Sequence, residues 1–147
     1  MFDLSMSENG EGRVHCGDWS EAFLVDEESL ESEHVGNDAW VERVRQFTSD
    51  GQVSCFLFTA RYPHRSSNFW RAWVLFRQDD GIFLTEQLCI FDWVLKLLIA
   101  TGFADEERVE NILKRRFERD LPLPEEVSKW TVKQSDLTAF VSTASPN

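Results

Sequence analysis

The stretch Trp70-Arg71-Ala72-Trp73-Val74-Leu75-Phe76 constrains this chain more than any other. In an extended strand successive side chains point to opposite faces, so Trp70, Ala72, Val74 and Phe76 share one face while Phe69, Arg71, Trp73 and Leu75 share the other. Both faces are largely apolar, so the sheet must be covered on both sides. The run, taken as 68–77, lies between two more of strand length, 53–60 and 82–89, each rich in β-branched and aromatic residues. Pro63-His64-Arg65-Ser66-Ser67 separates the first pair and Gln78-Asp79-Asp80-Gly81 the second. Asp80 and Gly81 both tolerate positive φ, which predicts a tight hairpin and antiparallel pairing of the second and third runs.

Helical periodicity surrounds these strands. Asn37 or Asp38 can cap a helix over 39–48, where Trp40, Val44 and Phe47 recur at i, i+4 and i+7 and Ser49-Asp50-Gly51 ends the pattern. Further helices are expected over 92–100 and over 105–117, the latter carrying Val109, Ile112, Leu113 and Phe117. Leu121-Pro122-Leu123-Pro124 is an extended connector. A last strand over 128–133 presents Trp130 and Val132, and Ser135 then caps a short helix with Leu137, Phe140 and Val141. Two short strands, 13–16 and 22–25, precede all of this. Residues 1–11, without an apolar run, are expected to be mobile. At 147 residues the expectation is one α+β domain over 12–142, an antiparallel β-sheet flanked by helices, with a tail at 143–147. Its expected core includes Trp40, Val44, Phe47, Phe56, Trp73, Leu75, Trp130 and Phe140.

The chain carries 26 acidic and 15 Lys or Arg residues, a formal net charge of −11. The excess is local: residues 1–38 hold 11 acids and one base, whereas the remainder is nearly balanced. The field is concentrated in Asp26-Glu27-Glu28-Ser29-Leu30-Glu31-Ser32-Glu33. Either this run is a solvated loop, or it faces a basic partner. Asp26, Glu27, Glu28, Glu31 and Glu33, together with Asp18 and Glu21, are the candidate partner-facing residues. A pI near 4.6 argues against binding to a nucleic-acid backbone, which requires Lys and Arg to displace counterions.

Signals for catalysis are weak. Cys16, Cys55 and Cys89 are widely spaced and odd in number, so they suggest neither a disulfide framework nor a zinc knuckle, and they fit a reducing compartment. No glycine pattern cradles a phosphate, and His15, His34 and His64 lack a second ligand at metal spacing apart from the adjacent His15-Cys16, whose side chains would leave a strand on opposite faces. No metal or cofactor is expected. A nucleophile built from one of these cysteines and a histidine stays open, and the carboxylate pairs Asp79-Asp80 and Glu106-Glu107 suit a turn and a helix surface. No secretory leader is visible, and the most apolar run, 88–100, is too short for a bilayer and contains Asp92 and Lys96. A cytoplasmic protein is expected.

The order of motifs resembles one group of bacterial immunity proteins from contact-dependent growth-inhibition systems. Gly12-Arg13-Val14-His15-Cys16-Gly17-Asp18-Trp19-Ser20-Glu21-Ala22-Phe23 is similar to the opening of that family, a strand leading into a Gly-Asp-aromatic-x-Glu-x-Phe segment. Asp38-Ala39-Trp40 onward resembles its aromatic helix, and the runs from Val53, Trp70 and Phe83 its strands. Val127-Ser128-Lys129-Trp130 and Asp136-Leu137-Thr138-Ala139-Phe140-Val141 resemble its closing pattern. Two features depart from it: the family's Pro-rich stretch before the last strand is replaced by the helical 105–117, and a Glu before the closing Trp is replaced by Lys129. The resemblance implies a non-enzymatic cytoplasmic protein that binds the C-terminal toxin domain of a large secreted or surface protein, expected to be basic in charge and nuclease in type, and neutralises it by occlusion. Two alternatives remain: a small enzyme with an unrecognised Cys/His or carboxylate site, and an acidic regulatory protein that mimics nucleic acid.

Overall fold

A computed structural model describes residues 1–62, 69–103 and 105–144. The loop expected at 63–67 and positions 145–147 of the expected tail lie outside the described residues. Along the chain come β1 (Phe2–Met6), β2 (Glu11–Cys16), β3 (Trp19–Leu24), α1 (Glu27–Leu30), α2 (Asn37–Asp50), β4 (Ser54–Ala60), β5 (Phe69–Gln78), β6 (Gly81–Ile90), α3 (Trp93–Ala100), α4 (Glu106–Arg119), β7 (Trp130–Val132) and α5 (Gln134–Ala144). The fold is α+β with every strand pair antiparallel.

The strands divide into two sheets, β1-β2-β3 and β4-β5-β6-β7. The sequence reading expected a single sheet. β7 takes the far edge of β6, with Ile82 opposite Val132, and the N-terminal meander lies over the face of the larger sheet that carries Trp73. On that face α2 brings Trp40, Val44 and Phe47 into the core. Trp73 of β5 meets Trp19 and Phe23 of β3 edge-on or tilted, and Phe2 of β1 meets Phe140 of α5 at 5.2 Å. On the opposite face α4 supplies Phe117, whose ring stands edge-on to Phe56 and to Phe76. Burial on both sides explains why β4 and β5 have no polar stripe. Phe56 and Leu75 are buried, while Trp130 is half-buried, stacked on Trp19 at 3.8 Å.

Several local expectations are corrected. Residues 2–6, expected in a mobile lead-in, form β1, and Phe2 and Leu4 are buried. The alternation of Phe2, Leu4 and Met6 is a strand pattern too short to stand out until β2 pairs with it. Asn37 does not cap α2. Gly36 takes the cap position at φ 128°, and the Asn37 amide serves Met6, accepting from its N–H at 2.9 Å and donating to its carbonyl at 3.1 Å. The β5–β6 turn is centred on Asp79 and Asp80, at φ 51° and 63°, with Gly81 already paired to Gln78. The hairpin pairing is that expected, but the turn lies one residue earlier because Asp itself tolerates the left-handed region. Ser135 lies inside the first turn of α5, which reaches Ala144 and so includes two positions assigned to the tail.

Candidate functional site

The acidic run falls on the connection between β3 and α2. Asp26 precedes the single turn α1, and Asp26, Glu27, Glu31 and Glu33 are exposed while Glu28 is half-buried. Ser29 in the middle of the run is fully buried, and its Oγ accepts the backbone N–H of Arg61 at 3.1 Å. That bond fastens the run to the end of β4.

Arg61 is 0% exposed. A buried guanidinium needs both charge and hydrogen-bond partners. Arg61 Nε donates to Glu106 Oε1 at 3.3 Å, and Nη1 pairs closely with Glu110 Oε1. Its charge lies over the rings of Trp70 and Phe58, 4.2 and 4.7 Å from their centres. Arg43 reaches the same carboxylate from α2. It grips Glu110 with two bonds of 2.9 and 3.0 Å and gives a third, at 3.1 Å, to the Phe56 carbonyl on the outer edge of β4. Trp40 Nε1 covers the next such carbonyl, Phe58, at 2.9 Å. The edge of β4 is thus closed by α2 side chains.

The network sets the protonation of its members. Burial pushes the Glu110 carboxyl upward, but the hydrogen bonds and charges of Arg43 and Arg61 outweigh it and hold the group below the ordinary carboxylate range. His34 is pushed below the usual histidine value, first by burial and then by the charges of Arg61 and Arg43, against the opposite pull of Glu110 and Glu33. It is therefore neutral at pH 7. With Arg43 Nη2 as an obligate donor 3.0 Å from Nδ1, the imidazole proton sits on Nε2, facing Glu33 Oε1 at 3.5 Å.

The consequence is an acidic face that no single segment supplies. Through Ser29, Arg61 and Glu106, the run 26–33 is tied to the first turn of α4, where Asp105, Glu106 and Glu107 are exposed. Glu33 and His34 line the same groove between α2 and α4 as Arg43, Glu107, Glu110 and Lys114. Arg43 and Arg61 are matched by the carboxylates of Glu106 and Glu110, so they do not neutralise the outward-facing acids of the run. The sequence reading placed Glu106 and Glu107 on a helix surface and did not connect them with the run. The acid-rich first turn after the Asp105 cap was the available signal, but nothing local tells which distant segment it meets.

Asp18 and Glu21 are not part of this face. Asp18 lies in the β2–β3 turn, at the other end of β3 from Asp26, roughly 20 Å away along an extended strand. Glu21, on β3, is close enough to Glu86 of β6 for its charge to act on that carboxyl. There burial raises the Glu86 carboxyl, the charge of Glu21 raises it further, and Arg71 opposes both.

Reactive groups are sparse in the described residues. The thiols of Cys55 and Cys89 are pushed by burial up to about 12. Cys16 is buried and raised in the same direction, and its Sγ lies 3.3 Å from the Thr131 carbonyl. No group of three or more His, Cys, Asp or Glu among them is placed to hold a metal ion. No helix of the described chain is long and apolar enough to cross a membrane.

This is a two-sheet antiparallel α+β fold with helices on both sides of its larger sheet. It is shared, at a TM-score of 0.63, with a solved structure described as the CdiA-CT/CdiI toxin and immunity complex from Enterobacter cloacae. The likeness covers 98% of each chain at 12% identity, and so speaks for the fold. The family model for the CdiI N-terminal domain matches residues 32–140. The chain belongs to the CdiI family, the immunity proteins of bacterial contact-dependent growth inhibition. No curated protein sequence matches it.

Proposed function

We propose that this chain acts in the cytoplasm, where it binds the C-terminal toxin domain of a CdiA-type protein and neutralises it by covering a basic surface that the toxin needs for a nucleic-acid substrate. The observation that carries this reading is the acidic face formed by 26–33 and the first turn of α4, set on a body whose remaining charge is nearly balanced. Complementary charge accelerates encounter and disfavours wrong partners, while the immunity protein itself does no chemistry. Burial of Cys16, Cys55 and Cys89 with raised thiol pKa values counts against a cysteine nucleophile.

The test uses the toxin domain encoded beside this chain. Cells expressing that domain should survive only when the chain is co-expressed, the two purified proteins should form a stable complex, and the chain should block the domain's cleavage of RNA or DNA. Survival without complex formation, or no protection at all, overturns the proposal. Protection from a domain that cleaves no nucleic acid removes the nuclease assignment.

A further inference from the structure

The outer side of α3 is largely apolar and uncovered, with exposed Lys96 at its margin. Trp93, Val94 and Leu97 are 75%, 43% and 54% exposed, and Phe103, just past the helix, is 70% exposed. On the inner side Leu95 is buried and Leu98 and Ile99 pack on the core. Both ends of the helix are fastened. At the N-terminus the Asp92 carboxylate accepts the Leu95 N–H at 2.9 Å and meets Arg116 of α4 at 3.1 Å. At the C-terminus Gly102, at φ 78°, turns the chain back, so that its N–H reaches the Ile99 carbonyl at 3.1 Å and the Phe103 N–H reaches Leu98 at 3.0 Å. Arg108 of α4 then donates to the Phe103 carbonyl at 3.2 Å. These side chains are therefore presented by a helix fastened at both ends, so docking need not order the backbone that carries them.

The apolar strip runs into the acidic face. Phe103 is two residues from Asp105, which caps α4, and Glu106 and Glu107 follow in its first turn, joined through Arg61 and Ser29 to the run 26–33. An apolar patch containing an exposed Trp, bordered on one side by the exposed carboxylates of Asp105 and Glu107, has the make-up of an interface anchor with a charged rim. The charge selects among occupants. A second copy of this chain carries the same net −11 and would be repelled at the rim, and an anionic bilayer surface would be repelled likewise. A basic protein surface with an apolar centre is attracted.

We propose that Trp93, Val94, Leu97 and Phe103 form the anchor on which the toxin domain is held, with the acidic face as its steering rim; this rests on the toxin-binding reading above. The rim governs how fast the partners meet, and the anchor how slowly they part.

The experiment measures association and dissociation of the neighbouring toxin domain with the parent chain and with Trp93→Ala and Leu97→Ala, after thermal melts have shown that both variants fold. The expected result is a loss of affinity of at least about 30-fold for Trp93→Ala, carried by faster dissociation, with association nearly unchanged. Because Trp93 is the most exposed of the six tryptophans, toxin should also shift parental emission to the blue and protect it from acrylamide, and Trp93→Phe should abolish that response. Parental affinity in both alanine variants overturns the anchor while leaving the toxin-binding reading intact, since the parent still binds. Failure of the parent itself to bind overturns the reading on which the anchor rests. A parental dimer that Trp93→Ala converts to monomer overturns the choice of occupant in favour of self-association.

Discussion

The guanidinium of Arg61 lies 4.2 Å from the ring centre of Trp70, with its side chain 1% exposed. From that position the side chain joins β5 through the ring and α4 through Glu106 and Glu110, while the backbone N–H of the same residue donates to Ser29 of the acidic run.

Arg61→Ala should therefore be among the most damaging single substitutions in the chain. It leaves the partly buried Glu110 without one of its two cations and opens a cavity over Phe58, and breaking a buried pair from one side costs about 3 to 5 kcal/mol. Urea unfolding should show a lower midpoint for this variant. Arg61→Lys should recover only part of the loss, because an ammonium reproduces neither the fork nor the stacking.

Stability should fall on acidification in two stages. His34 is held neutral in the folded state, so below about pH 6.5 the unfolded chain binds the proton first and gains. Glu110 is held ionised, so its contribution is present above the unfolded carboxylate pKa and is lost as pH falls below about 4.3 through its lowered folded value. Both slopes have the same sign, with stability rising with pH. Between pH 7.5 and 5.5 the unfolding free energy of the parent should fall relative to that of His34→Gln, which lacks this titrating group. Parallel curves would show that the pKa of His34 is not lowered by folding.

Trp40 and Trp130 should respond differently to truncation. Trp40 is fully buried and caps the Phe58 carbonyl, so Trp40→Ala should cost about 3 to 5 kcal/mol, and Trp40→Phe about 1 to 3 kcal/mol for the carbonyl left without its donor. Trp130 is half-buried against Trp19, and Trp130→Ala should cost clearly less. Equal midpoints in a denaturant series would contradict this ranking.

Reversing charge on the run should separate binding from folding. Asp26, Glu27 and Glu31 are exposed, so changing all three to Lys should alter stability by no more than about 0.5 kcal/mol each. Toxin association should slow by about 10- to 1,000-fold at low salt, and the deficit should shrink as ionic strength shortens the Debye length. If the variant associates at the parental rate at every ionic strength, the run is a solvated connection and the rim must be sought on α4.

Much of the scaffold was legible because its signals are local. The two-faced run around Trp73 follows from the two-residue repeat of a strand, and the stripe of Trp40, Val44 and Phe47 from the helical repeat. The Asp-rich turn follows from φ tolerance. Each is fixed by backbone geometry within a dozen residues. The imbalance of charge in residues 1–38 is likewise a property of the sequence alone. What the tertiary structure decided is where those pieces meet. The bonds from Arg61 to Ser29 and Glu106, and from Arg43 to Glu110, span 32, 45 and 67 residues. No local pattern marks Arg61 as buried, since arginine is ordinarily a surface residue. β1 gained its partner only from β2, and the exposed side of α3 reads as an ordinary apolar helix until the position of α4 shows which side is covered. The repeat of a backbone selects elements and their apolar faces, whereas the site depends on contacts between elements, whose energies exist only once the layers are packed.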